Sequence, residues 1–310
     1  MSAFCSVCGG YLDRDDLICR QCGADNDPAS VDAYDSLDLD EVHLDRLNPW
    51  SQLKHEIIEK YAAAYTTILR KQAWARRYVY VDAFAGAGVA VDAQSDELIA
   101  AGALRALHVD PPFSEYHFIE HNPGKVQVLE RVTSGFDHVS IHPGDYRSVL
   151  PGLLAERCQY RDFARGLCLL DPYGLSVDYA MLQQIAELTT VEIFFNFMLL
   201  GANRNVLWNV DPSTISARRA AIMTRVWGSE DWRTELFEET RGLFGNVWTK
   251  VSNERVIDAY RRRLRQAGFS YVPTPIAMRN STNSPLYYLF FCSPKAVASD
   301  IVGQIFDRYR

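Results

Sequence analysis

The chain has 310 residues, 48% hydrophobic and 23% charged, enough for one large α/β domain with a small appendage. Its longest apolar run, around Ile193 to Ala202, is interrupted by Asn196 and too short to span a bilayer. No basic-apolar signal region precedes Cys5, so a cytoplasmic protein without membrane contact is expected. The net charge of -7 is uneven: residues 1–46 hold eleven Asp/Glu against three Arg, a balance of -8. The remainder is nearly neutral, which argues against a general basic face for duplex nucleic acid but leaves room for a local basic groove.

In chain order, Cys5-x-x-Cys8 and Cys19-x-x-Cys22 come first, each pair followed by glycine. Two such knuckles let backbone amides turn back onto thiolate sulfurs, so a structural zinc ribbon is predicted over residues 1–24. Its acidic setting favours docking to a protein over binding nucleic acid. Residues 25–47, rich in Asp, Ser, Ala and Pro, read as an acidic solvated linker. Residues 48–310 then form the main domain.

A helix is expected from Pro49, with Trp50, Lys54, Ile57, Ile58, Tyr61, Tyr65 and Leu69 on one stripe. Lys54 is expected either to snorkel from that stripe or to reach over a ligand mouth. Tyr78 to Asp82 reads as a buried parallel strand running into the turn Ala83-Phe84-Ala85-Gly86-Ala87-Gly88. Glycine suits a turn that needs positive φ or close approach of a ligand. A second strand ends at Glu120, about one βαβ unit later, and an acid there can accept both hydroxyl protons of a ribose. An adenosine-containing cofactor is therefore expected. A dinucleotide is disfavoured, because Val89-Ala90-Val91 follows Gly88 with no third glycine.

Helices are predicted over Pro123 to Ser134 and Tyr146 to Arg157, and strands over His138 to His142 and Ala164 to Leu170. A helix at Ser176 to Leu188 and a strand at Thr190 to Phe197 complete the alternation. The fold class is thus α/β, a doubly wound and mostly parallel sheet. Residues 199–250 read as a helical insertion without strands. A helix at Asn253 to Gln266, a hairpin of Tyr271 to Arg279 with Leu286 to Cys292, and a last helix from Ala296 to Tyr309 close the chain. Cys158, Cys168 and Cys292 are expected as buried apolar residues.

Asp145 follows the third strand, where it can accept from an adenine amino group or cap the next helix. Asp171-Pro172-Tyr173-Gly174 ends the fourth strand and Asn196 lies near the end of the fifth, where open α/β sheets place ligands. Asp171-Pro172-Tyr173 resembles, with one proline fewer and its tyrosine one position early, the Asp/Asn/Ser-Pro-Pro-aromatic motif of enzymes that methylate exocyclic amines of bases. The resemblance implies that Asp171 and the Pro172 carbonyl accept from an amine and that the Tyr173 ring stacks, with Asn196 completing the polar rim. Asp110-Pro111-Pro112-Phe113 precedes the second strand and is read as a loop.

The motif Asp82-x-Phe84-Ala85-Gly86-x-Gly88 resembles the first motif of class I S-adenosylmethionine-dependent methyltransferases. Trp50-x-x-x-Lys54, the stretch Tyr80 to Gly88, Leu170 to Gly174, Phe194-Phe195-Asn196-Phe197 and Pro285-Leu286-Tyr287-Tyr288-Leu289 together resemble the three-Cys-motif partner proteins. The resemblance covers about Pro49 to the C-terminus and not the knuckles. It implies a Rossmann-like fold with an antiparallel C-terminal hairpin and S-adenosylmethionine bound by Asp82, Phe84, Ala85, Gly86, Gly88, Glu120, Asp145 and Lys54. It also implies a three-Cys-motif protein encoded nearby as partner. The expected activity is methyl transfer to a nucleic-acid base amine. Methylation of a protein or small molecule presented by a partner, and a non-catalytic docking protein, are the alternatives.

Overall fold

The computed structural model describes residues 3–4, 11–12, 42–208, 211–242 and 245–310. The fold is α/β with a mostly parallel central sheet, and the chain divides into two units, Met1–Leu169 and Leu170–Arg310.

In the first unit, β1 (Ala3–Phe4) pairs antiparallel with β2 (Tyr11–Leu12), the two flanking Cys5-x-x-Cys8 in sequence. Cys5, Cys8, Cys19 and Cys22 lie outside the described residues, as does most of the expected linker. The linker's last residues are ordered: β3 (Arg46–Leu47) pairs parallel with β5. Helix α1 (Pro49–Arg70) starts with proline at its first turn and buries Ile57, Ile58, Tyr61, Ala62, Tyr65 and Leu69. Strand β4 (Arg77–Asp82) buries Val79, Tyr80, Val81 and Asp82.

No helix follows the glycine turn directly. Instead come β5 (Val89–Asp92), β6 (Leu98–Ala100), antiparallel to it, and the short α2 (Gly102–Leu107). Val89-Ala90-Val91 is β-forming, which is why the turn leads into a hairpin. The unit continues with β7 (Glu115–Glu120), α3 (Pro123–Val132), β8 (Val139–Pro143), α4 (Tyr146–Arg157) and β9 (Ala164–Leu170). The order β9-β4-β7-β8 is parallel throughout. Asp110 to Phe113 is a loop, and Phe113 is buried against Tyr65, Tyr80 and Tyr116.

In the second unit, α5 (Tyr179–Glu187) leads to β10 (Val191–Phe197), which is buried along its whole length. Residues 199–250 are not purely helical. After α6 (Leu199–Ala202), α7 (Ala217–Trp227) and α8 (Trp232–Glu235) comes an antiparallel pair, β11 (Phe237–Gly242) with β12 (Gly245–Lys250). Phe237, Thr240, Trp248 and Thr249 supply β-formers there.

Helix α9 (Asn253–Gln266) carries the arginine run, whose role is structural in part. Arg263 donates to the Trp227 carbonyl at 3.1 and 2.9 Å, and that carbonyl belongs to the last residue of α7. Strand β13 (Ile276–Arg279) is shorter than expected, because Pro273 and Pro275 remove backbone donors. It pairs antiparallel with β14 (Pro285–Cys292), which pairs antiparallel with β10, and α10 (Ala296–Asp307) ends the chain. Phe197, Tyr260 and Phe290 pack at this unit's centre, with the Phe197 and Tyr260 rings 4.4 Å apart. Among the described residues, no helix is long and apolar enough to cross a membrane.

Candidate functional site

The tip of β4 is clamped from both sides. The Ala83 amide donates to Leu169 O and the Ala85 amide to Ile119 O, each at 3.0 Å, which ties the turn to both neighbouring strands. Asp82 is buried, and its Oδ1 accepts from the Phe84 amide at 3.0 Å. The Phe84 ring rests on Tyr146 with centroids 4.7 Å apart. A Cβ on Gly102 would stand 3.4 Å from Asp82 Oδ2 and 3.0 Å from His55 Cε1, so α1 and α2 close over this carboxylate. Lys54 is 4% exposed and does not snorkel. Burial, with the charges of Lys54 and Arg105 nearby, holds His55 well below its ordinary value.

Gly86 and Gly88 have φ of +64° and +75°, which strains any residue with a Cβ. The two glycines differ in what surrounds them. A Cβ on Gly88 would meet Leu129 Cδ1 at 2.9 Å and Val132 Cγ2 at 3.0 Å, so it is held small by α3 rather than by room for a ligand. Gly86 is half-buried and its amide donates to Glu120 Oε2 at 2.9 Å. Glu120 Oε1 accepts from the Asn122 amide at 2.7 Å. His121 Nδ1 also stands 3.2 Å from Oε1, so Oε2 is the oxygen that keeps a lone pair for a ribose hydroxyl.

One neighbour of this turn has no signature in the residue pattern. Asp45 Oδ2 lies 3.5 Å from where a Gly86 Cβ would stand, and it accepts from Lys125 Nζ at 2.6 Å. Val42 packs on Gly124 in the same way, at 3.3 Å from its Cβ position. The end of the acidic stretch thus forms a wall beside the turn. Only the pairing of β3 with β5, invisible in a charge run, brings Asp45 there.

Asp145 is the N-cap of α4: its Oδ1 accepts from the Arg147 amide at 2.8 Å. The capping alternative is what the geometry displays, and Asp145 Oδ2 faces Arg147 Nη1 at 3.4 Å.

In the second unit, Asn196 is 3% exposed and its Nδ2 donates to Asp171 Oδ1 at 2.8 Å. That bond fixes the amide's orientation, since the reverse would set oxygen against carboxylate. Asn196 Oδ1 is then a buried acceptor with no donor. An orphan of this kind is costly in a folded protein and marks a place where a ligand or water completes the site. Pro172 is buried, whereas Tyr173 is 73% exposed at the turn. Gly174 takes φ +73° beside Gly201, whose own Cβ position is 3.9 Å from Gly174 Cα.

Among the described residues, no group of three or more His, Cys, Asp or Glu could hold a metal ion. Cys158, Cys168 and Cys292 are buried thiols, as expected. Burial pushes the Cys158 thiol up to about 12 and raises Cys168 and Cys292 well above the usual range, which disfavours the thiolate form.

No family model and no curated protein matches the chain. Solved structures do. Protein LPL1258 from Legionella pneumophila is similar at a TM-score of 0.52 and 10% identity, over 84% of this chain and 91% of that one. At that identity the likeness is one of fold. M. jannaschii TYW2 in complex with AdoMet is similar at a TM-score of 0.40 and 11% identity, over 83% of this chain and 78% of that one. For the METTL16 MTase domain the TM-score is 0.39 at 9% identity, over 76% and 66%. The solved structures that resemble this chain thus include methyltransferases.

Proposed function

We propose that the protein is an S-adenosylmethionine-dependent methyltransferase acting on an exocyclic amine of a nucleic-acid base. The observation that carries this reading is the buried, donorless Asn196 Oδ1 beside Asp171. Two neighbouring acceptors suit a nitrogen bearing two hydrogens, and they would turn its lone pair outward. The exposed Tyr173 ring offers a stacking face for a planar base. When bound, S-adenosylmethionine supplies an electrophilic methyl group. Gly86 and Glu120 would hold its ribose end, the carboxylate through the remaining lone pair of Oε2, with Asp82, Phe84, Ala85, Gly88 and Lys54 shaping the turn. Asp145 would reach the adenine while capping α4. Asp171 would orient the amine and accept the proton it sheds.

The zinc ribbon of Cys5, Cys8, Cys19 and Cys22 and a nearby-encoded three-Cys-motif partner belong to the same proposal, resting on knuckle spacing and on resemblance. Zinc content of the purified protein, about one ion per chain, tests the first.

The test of the activity is transfer of label from methyl-tritiated S-adenosylmethionine into nucleic acid, protein and small-molecule fractions. Asp171→Ala and Asn196→Ala should abolish transfer into nucleic acid while calorimetric cofactor affinity stays within about twofold. Asp171→Asn should keep some activity. A wild-type rate in Asp171→Ala, or label entering only protein, overturns the reading.

A further inference from the structure

We propose that an aromatic and arginine surface at the amino-terminal ends of β4 and β9 binds single-stranded nucleic acid. Three large rings stand exposed there: Trp74 at 40%, Tyr160 at 67% and Phe163 at 42%. Single exposed rings are ordinary, but these form one group threaded by guanidinium planes. Arg165 lies over the Trp74 ring at 4.5 Å and over the Tyr160 ring at 5.1 Å. Arg76 lies over Phe163 at 5.3 Å.

The backbone joins the two segments. The Arg76 amide donates to Phe163 O at 3.2 Å, and Arg77 and Tyr78 pair with Ala164 and Arg165. Phe163 adopts φ +54°, a left-handed conformation that an aromatic residue rarely takes. That strain turns the chain out of a short 3-10 helix (Tyr160–Asp162) with the ring left half in solvent. Local strain maintained to expose an apolar ring points to a ligand for the ring.

Charge selects the ligand. Residues 70–77 and 160–165 hold six basic side chains and one acid, Asp162, in a chain whose net charge is -7. Arg77 is taken up by Glu115 at 2.8 Å, and Arg70, Lys71 and Arg161 are exposed. Aromatic faces interleaved with cations are what an unpaired strand needs, bases stacking on rings and phosphates meeting arginines. A duplex hides its base faces and would use only the charges. β4 separates this surface from the Gly86 turn by six residues, about 20 Å of strand, so it would recruit a strand rather than hold the reacting base. The inference stands without the methyl-transfer reading.

The test is fluorescence anisotropy of a labelled 20-mer of thymidylate with the full chain, without cofactor, at two salt concentrations. Tyr160→Ala and Trp74→Ala should each weaken binding about tenfold, the effect of one lost stacked base. Arg161→Glu should weaken it and flatten the salt dependence. A duplex of matched length should bind at least tenfold more weakly. Unchanged affinity in the Trp74→Ala and Tyr160→Ala double variant overturns the proposal, as does equal affinity for duplex. Self-association in sedimentation that the double variant abolishes, with no oligonucleotide bound, reassigns the surface to a second copy of the chain. Because cofactor is absent, failure here leaves the label-transfer result untouched, and failure there leaves this one.

Discussion

Lys125 Nζ donates to Asp45 Oδ2 at 2.6 Å, joining the first turn of α3 to the segment that enters β3. The lysine side chain is 13% exposed and the carboxylate 31%, so each would be poorly solvated without the other. Asp45→Ala should cost about 1–3 kcal/mol in urea unfolding, and Lys125→Ala a similar amount. The double variant should lose less than the two together, with a coupling near 1 kcal/mol. Additive losses would mean that the two side chains act separately.

Glu120 bonds to Gly86 and Asn122 at once, so its removal should loosen the turn as well as any bound ribose. Glu120→Ala should lower affinity for S-adenosylmethionine by on the order of 1–3 kcal/mol, at least fivefold in the dissociation constant. Calorimetry decides it. Undiminished affinity would move the ribose elsewhere.

Gly86→Ala and Gly88→Ala should separate two roles of one turn. Both place a Cβ at positive φ, at about 1–2 kcal/mol. Only Gly88→Ala also collides with Leu129 and Val132. Its melting temperature should fall further, and Leu129→Ala should recover part of the difference. Equal melting of the two single variants would refute the distinction.

Acid should destabilise the fold through the buried His55 and His117 and the half-buried His142. Burial holds His117 below its ordinary value, partly offset by Glu115, and burial with His117 and Arg157 does the same for His142. The rings meet at 3.0 Å between His117 Nδ1 and His142 Nε2. His55 is lowered further. A depressed folded value means that the unfolded chain takes up protons first. Stability should be full above about pH 6.5 and decline as pH falls below it, through the folded values. Melting temperatures from pH 7.5 to 5 test this, and Gln at both His117 and His142 should flatten the slope. An unchanged slope would assign the acid sensitivity to other groups.

Much of this architecture is legible in the chain. The endpoints of α4 and β9 match the periodicity, and β4 is readable because a run buried on both faces is apolar throughout. Asp171 and Asn196 were identifiable as strand-end polar residues, and they do meet. What escaped was set by tertiary pairing. Asp45 sits in a charge run and is positioned only by β3. The hairpin of β11 and β12 was hidden among helical patches, and Tyr271 to Pro275 looked like strand until two prolines limited it to a single bridge from Tyr271 to Ser293. Lys54 was legible as a stripe residue, but its burial was not.

The acceptor pair at Asp171 and Asn196 has a consequence for stoichiometry. Two acceptors side by side, one of them buried and undonated, count hydrogens on the nitrogen that reaches them. A primary amine can satisfy both. Once it carries one methyl group it has a single hydrogen left, and one acceptor must again go without, at a cost of about 1–3 kcal/mol. Under the amine-methylation reading proposed above, such a site would favour departure of the singly methylated product over its retention for a second round, and monomethylation would be the end point.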